Sequence, residues 1–410
     1  MPSAINACRI CGNVNLEPVL DLGVQSLTGV FPRKTETKVT EGPLRLVKCF
    51  GEDACGLLQL EHSYDAEDMY GDNYGYRSGL NTTMVSHLAG TISRFLESHP
   101  LREGSLVIDI GSNDSTTLQA FQGRNLRLIG IDPSGSKFKQ FYPKGIELIP
   151  DFFSEKAFRA KVPQGEAALV TSFAMFYDLE DPLTFMKDLH SVLEEGGLWL
   201  FEQSYMPTML AKSSYDTVCH EHIEYYAMKQ IVWMADRVGF SIVDFEFNDI
   251  NGGSFSVLAK KTRSTSHSPK IYALLEAERR QGLDTLSPYV EFENRVLALR
   301  TELISFLQKA RESGKTVCAL GASTKGNVIL QYCGLDTHLI TEIGEVNEEK
   351  VGAYTPGSLI PIISEREVLA KQYDYHLVLP WHFFEFFQDA KAFKGRTLLF
   401  PLPTLRVHRC

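Results

Sequence analysis

Between Ser105 and Lys261, short apolar runs that end in Gly- or Asp-bearing turns alternate with helix-like stretches. This alternation restricts the fold more than any other feature of the chain. SLVIDIGSND reads as a buried strand running into a glycine turn. LRLIGIDPSG, ALVTSFAMFYDLED and GLWLFEQSY read as further strands, and FSVLAKK as a late one after the paired glycines of INGGSF. Helical segments lie between them, such as LTFMKDLHSVLEEGG with its glycine stop. Strands apolar on both faces need helices above and below, so the pattern specifies an α/β, doubly wound parallel sheet.

The pattern returns near the C-terminus. After the polar hinge KKTRSTSHSPK, the spacing predicts a long helix over YVEFENRVLALRTELISFLQKARESGK. Val290, Val296, Leu303, Phe306 and Leu307 would face inward, and Gly314 would end it. TVCALGASTKGNVIL opens a second strand-turn-helix unit, and LITEIGEVN and YHLVLPWHF add strands. A chain of 410 residues is too long for one small core. The expected division is a metal module over 1–62, the main sheet over 63–262, a helical connector over 263–311 and a smaller α/β domain over 312–410. A helix is expected to begin near Thr82, after the tyrosine- and glycine-rich DAEDMYGDNYGYRSGLN.

Four of the eight cysteines crowd the first 55 residues. Cys8-x2-Cys11 has the spacing of a zinc knuckle, and Cys49 and Cys55 supply a second, longer pair. Gly follows each pair and allows a tight loop. Four thiolates would close the coordination shell, so the expected ion is structural Zn2+. Cys318, within an apolar strand, reads as packing.

The formal charge of -10 and pI near 5.6 argue against a partner read through its phosphates, so no nucleic acid is expected. No stretch approaches 18 consecutive apolar residues and the first 20 lack a signal-peptide pattern. The expectation is no membrane partner and a cytoplasmic location.

VIDIGSNDS places Asp109 before a turn built on Gly111, and a helix follows whose amides face the turn. Asp132 ends the next strand, where an acid commonly holds ribose hydroxyls. The turn lacks the full GxGxxG, and the pattern alone leaves NAD and S-adenosylmethionine both open.

The four-cysteine region, YGYRSG, IDIGSND, YDTVCHEHIEYY, NGGSF, GASTKGN, YTPGSLIPI and LPW occur in one order over nearly the whole chain. Together they resemble the nucleotide-sugar C-methyltransferases of branched deoxysugar biosynthesis. The resemblance implies a central class I methyltransferase domain binding S-adenosylmethionine through Asp109, Gly111, Ser112, Asn113, Asp132 and Pro133. It implies a C-terminal Rossmann-like domain for the nucleotide end of a nucleoside-diphosphate-linked keto sugar, with Lys325 on the diphosphate. Four positions depart from the family pattern: Cys219 stands where Tyr is common, Asp178 falls near a position that holds His in some relatives, GSNDS replaces GSNDG, and LPWHFF replaces an LPWN-like segment.

A ring carbon becomes nucleophilic only after losing a proton, which requires a base beside it and donors for the enolate oxygen. His222 is assigned as that base. Glu221 would bind a sugar hydroxyl or orient the pair, Tyr76 would donate to the oxyanion or act as an alternative base, and His220 would support the loop or contact the sugar. Asn251 and Gly252 form either a substrate loop or a simple turn. Tyr225 and Tyr226 are expected to pack beneath the site, and Trp381-His382 to close the edge of the last domain, with an approach of His382 to the nucleotide as the alternative. The rival for His-Glu-His is a metal site, but no third ligand at defined spacing accompanies the pair. Rival functions are a zinc-module methyltransferase acting on RNA or protein, and a non-catalytic nucleotide-binding scaffold.

Overall fold

The computed structural model describes residues 3–64, 77–263 and 266–410. Tyr76, named above, lies outside them. The N-terminal region is a small sheet whose strands β1 (Leu16–Ser26), β2 (Glu41–Cys49) and β3 (Leu58–Leu60) pair antiparallel. Leu20, Leu44, Leu46, Leu58 and Leu60 are all buried, in a hydrophobic cluster continuous with that of the central and C-terminal sheets.

The central sheet contains β4 (Leu106–Ile110), β5 (Arg127–Ile131), β6 (Ile146–Ile149), β7 (Ala167–Phe173) and β8 (Leu193–Ser204). After the short β9 (Glu224–Tyr225) come β10 (Phe240–Asn248) and β11 (Ser254–Lys261). The order β10-β11-β8-β7-β4-β5-β6 is that of a doubly wound sheet with its switch between β4 and β7. One strand corrects the parallel expectation: β11 runs antiparallel to both neighbours. Only residues 249–253 join β10 to β11, far fewer than a parallel crossover needs. The helix over LTFMKDLHSV ends at Val192, before its glycines, because Leu193 already pairs with Ala167 and the glycines fall in an irregularity of β8.

β9 belongs to another sheet. Glu224 and Tyr225 pair with Gln59 and Leu58, so the strand immediately after His-Glu-His is the fourth strand of the N-terminal sheet.

The helix expected near Thr82, α1 (Thr82–Ser98), is capped by the Asn81 side chain and buries Leu88, Ile92, Phe95 and Leu96. The connector helix α2 (Ser287–Glu312) buries Tyr289, Phe292, Val296, Leu299, Leu303 and Leu307. Phe306 is half-buried, against Tyr375, and Val290 faces solvent, one position off the stripe, which corrects the inward placement of Val290.

The C-terminal sheet is β14-β13-β12-β15-β16-β17, formed by β12 (Val317–Leu320), β13 (Ile343–Glu345), β14 (Ile362–Ser364), β15 (Tyr375–Val378), β16 (Thr397–Phe400) and the antiparallel edge β17 (Arg406–Arg409). Helix α3 (Thr324–Tyr332) follows β12, with Ser323 as its N-cap. It also docks on the N-terminal sheet. Asn327 Nδ2 donates to Thr28 O at 2.7 Å, and Ser26 N donates to Gln331 Oε1 at 2.8 Å.

Candidate active site

The cofactor turn is assembled by backbone conformation. Gly111 has φ +72°, and a Cβ there would stand 3.1 Å from Met175 Cγ, so a side chain would be strained and crowded. Asn113 and Ser115 also lie in the left-handed region, at φ 47° and 66°. Ser115 occupies the position where the resembling pattern has Gly, and its Oγ is held by Phe141 O at 3.0 Å. Asp132 closes the turn from β5: Oδ2 accepts from Asn113 N at 2.8 Å, and Oδ1 from Ser134 N at 2.7 Å. Pro133 begins the short helix beyond it and is exposed. Ser112 Oγ and Tyr142 OH lie 2.7 Å apart.

Asp109 is buried beneath this turn. Burial pushes its carboxyl up to about 7, although Thr171 Oγ1 donates to Oδ1 at 2.6 Å. The RSGL part of the tyrosine-rich bridge lies on the same turn. Ser78 N donates to Asn113 Oδ1 and Gly79 N to Asp114 Oδ2.

The three residues of His-Glu-His divide between two environments. His220 is fully buried against the N-terminal sheet, with Nε2 at 3.5 Å from Gly42 O and its ring edge-on to Tyr64. Burial holds it down to about 4, a neutral packing group. Glu221 turns toward the same sheet: Oε2 accepts from Thr28 Oγ1 at 3.4 Å, and Oε1 lies 2.5 Å from where a Cβ on Gly29 would stand. Burial raises its pKa.

His222 faces away from both. Its Nδ1 is 3.1 Å from Thr217 O, and its ring lies on Tyr177 with centroids 4.3 Å apart. A carbonyl oxygen only accepts, so Nδ1 carries the ring proton and Nε2 keeps its lone pair. Burial and then the charge of Lys325 lower the imidazole to about 3. The ring is therefore a neutral base at ordinary pH, lower than the near-neutral value expected of an untuned histidine. It lines a small cavity with Tyr177, Ser204, Met206, Met209, Thr217, Glu224 and Tyr225. Among the described residues, the only group of three or more possible metal ligands is the cysteine cluster, so His-Glu-His has no third ligand.

Helix α3 and Lys212 of the central domain bring cations to this place. Lys325 Nζ donates to Asn251 O at 2.8 Å, and Lys212 Nζ to Gly252 O at 2.9 Å. Trp381 corrects its expected role as an edge closure, because Nε1 donates to the buried Asp216 Oδ2 at 2.8 Å and the ring packs at Gly252. His382 is lowered to about 3 by burial and by Lys325 and Lys212. Asn251 adopts φ 56°, and Gly253 could not carry a Cβ without meeting Thr208 at 2.3 Å. Sequence reading missed Thr28, Gly29, Asp216, Thr217 and Lys212. Thr217 acts through its carbonyl, which no residue type reveals, and Gly29 matters only because a distant carboxylate lies on it.

The four cysteines form one cluster whose ligand atoms all lie within 4.8 Å of one another. Cys8 and Cys55 sulfurs are 3.5 Å apart, and those of Cys11 and Cys49 3.4 Å. Four sulfurs at about 2.3 Å from a tetrahedral zinc stand at comparable separations, so the donor set fits the ion. Asn13 Nδ2 supports Cys49 Sγ at 3.4 Å, and Gln230 Nε2 from the central domain donates to Cys55 O at 2.9 Å.

Three family models tile the chain in the order of these parts. Residues 8–70 match a model described as "Putative zinc binding domain", residues 81–244 a methyltransferase domain, and residues 249–403 a C-methyltransferase C-terminal domain. The chain is 28% identical to C-methyltransferase NovU of Streptomyces niveus, over 98% of this chain and 97% of that protein. Among solved structures, an S-adenosylmethionine dependent methyltransferase from Mesorhizobium loti is 15% identical, covering 43% of this chain and 99% of its own at a TM-score of 0.35. One from Methanosarcina mazei is 11% identical, covering 41% and 98% at 0.32. With zinc and S-adenosylmethionine as its cofactors, the chain combines a zinc-binding module, a methyltransferase domain and a C-methyltransferase C-terminal domain, in the order in which the three models match it.

Proposed function

We propose that the chain methylates a ring carbon, C3, next to the ketone of a nucleotide-linked 4-keto-6-deoxy sugar. The observation that carries this reading is a neutral imidazole, His222, with its Nε2 lone pair free, beside the ammonium of Lys325 from the C-terminal domain. A carbon acid flanked by a ketone needs the base, and a nucleoside diphosphate needs the cations.

In this reading His222 Nε2 takes the proton, and the resulting imidazolium is steadied by Thr217 O at Nδ1. Its lowered pKa rises as negative charge develops on the neighbouring enolate. Lys325 and Lys212 hold the diphosphate, with Asn251 and Gly252 shaping the loop beneath it. Glu221 accepts from a sugar hydroxyl, His220 supports the loop, and Tyr76 is assigned to the oxyanion. Bound S-adenosylmethionine supplies an electrophilic methyl group. Asp109, Gly111, Ser112, Asn113, Asp132 and Pro133 place it, and the buried Asp109 helps exclude water. The division at 62, 262 and 311 gives each part its task, with the zinc module closing the sugar side. The assigned setting is the cytoplasm, without a nucleic-acid partner; no described helix is long and apolar enough to cross a membrane.

The test is a panel of thymidine, guanosine and cytidine diphosphate keto sugars, with RNA as a control, followed by mass. One added methyl group on a keto sugar supports the reading. Methylated RNA with inert sugars overturns it.

A further inference from the structure

We propose that Tyr225 is a positioning residue for His222, its hydroxyl tying the two ends of the loop together so that Nδ1–H stays on Thr217 O and Nε2 faces the substrate. The proposal rests on the reading of His222 as the base.

The segment from Thr217 to His222 has little regular structure to hold it. Within it, a single backbone bond, His222 N to Cys219 O at 3.2 Å, spans the turn. Both ends of the segment instead converge on one phenol. Tyr225 OH donates to His222 O at 2.8 Å and also lies 3.3 Å from Thr217 O. A phenol has one proton, and the shorter contact takes the larger share of it. Thr217 O therefore keeps accepting capacity for Nδ1–H at 3.1 Å. The opposite tautomer would set the Nδ1 lone pair against a carbonyl lone pair, which is repulsive.

Two further features suit Tyr225 to this task. It is buried, and burial first of all raises its pKa well above the usual phenol value, so it remains a donor at every working pH. Its backbone is also fixed from outside the loop, because Tyr225 pairs with Leu58 and Leu60 N donates to Ile223 O at 2.8 Å. The N-terminal sheet thus reaches the base through the Tyr225 hydroxyl as well as through the backbone at Ile223. Packing beneath the site, the role expected from sequence, describes the ring and leaves out the hydroxyl.

The test is Tyr225→Phe, which keeps the ring. Histidine is labelled with 15N in the full-length protein, and His222→Asn identifies the His222 signals. The wild type should show the Nδ1–H tautomer alone, and Tyr225→Phe a mixture. Turnover should fall about tenfold or more, with KM, zinc content and S-adenosylmethionine affinity unchanged. A wild-type Nε2–H tautomer, or a Phe variant with wild-type spectrum and turnover, overturns the proposal. A variant that loses zinc or unfolds also overturns it, by assigning Tyr225 to the scaffold. If His222 is not the base, His222→Asn turns over normally and Tyr225→Phe alters the spectrum without altering turnover, so the two readings fail separately.

Discussion

Lys325 Nζ donates to Asn251 O at 2.8 Å, and this contact sets a positive charge from the C-terminal domain beside the loop that closes the central sheet. The same charge helps hold His222 to about 3, after burial itself. A base works in its neutral form, so a lower pKa extends activity to lower pH.

Lys325→Met should therefore move the acid limb of kcat/KM upward by about one pH unit. It should remain below the ordinary histidine value, because burial persists. KM for the nucleotide-linked substrate should rise about tenfold or more as a charge-assisted contact is lost. Rate profiles that run from about pH 2 to pH 8, spanning the wild-type acid limb, read both effects.

Gly29→Ala tests the partner of Glu221. The new Cβ would stand 2.5 Å from Oε1, so the carboxylate must shift. The expected outcome is a loss of about tenfold or more in kcat/KM, with zinc content and S-adenosylmethionine affinity intact. Unchanged kinetics would remove Glu221 from substrate binding.

Much of the frame is legible in the sequence because it follows from local pattern. SLVIDIGSND, LRLIGIDPSG and GLWLFEQSY announce buried strands, and Cys8-x2-Cys11 announces a metal knuckle. β6, with the sequence IELI, is too short to stand out, and FSIVDFEFN of β10 carries its acids on an edge strand where solvent accepts them. The active-site order His-Glu-His was visible, but its division of labour was not. Gly42, Tyr64, Thr28 and Gly29 come from the N-terminal region, roughly 150 residues or more away in the chain, and decide which way His220 and Glu221 face. Backbone carbonyls such as Thr217 O have no signature in residue type.

Asp109→Asn tests the buried carboxyl. Its folded pKa is raised from 3.8 to about 7, so the folded state holds this proton more tightly than the unfolded chain. That contribution is complete below pH 3.8 and is lost as pH rises through 7. The asparagine variant does not titrate. Its stability relative to wild type should rise by about 2–3 kcal/mol between pH 5 and pH 8, read by denaturant unfolding at both values. A constant difference would mean that Asp109 titrates alike in both states.

Loss of zinc should loosen the catalytic loop more than the cofactor turn. β9 pairs with β3 and Gln230 holds Cys55 O, whereas Asp109, Gly111 and Asp132 lie on the central sheet. Cys49→Ser should drop zinc content well below one per chain, abolish methyl transfer and lower stability by several kcal/mol. Calorimetry should still detect S-adenosylmethionine binding; its disappearance would show that the module supports the whole molecule instead.

The central claim is that the imidazole of His222 removes a proton from carbon. The direct measurement incubates protein and keto sugar in heavy water without S-adenosylmethionine, and follows deuterium entering at the carbon beside the ketone. Wild type should exchange that hydrogen and His222→Asn should not, while both bind S-adenosylmethionine equally. Exchange by His222→Asn at the wild-type rate would contradict the account.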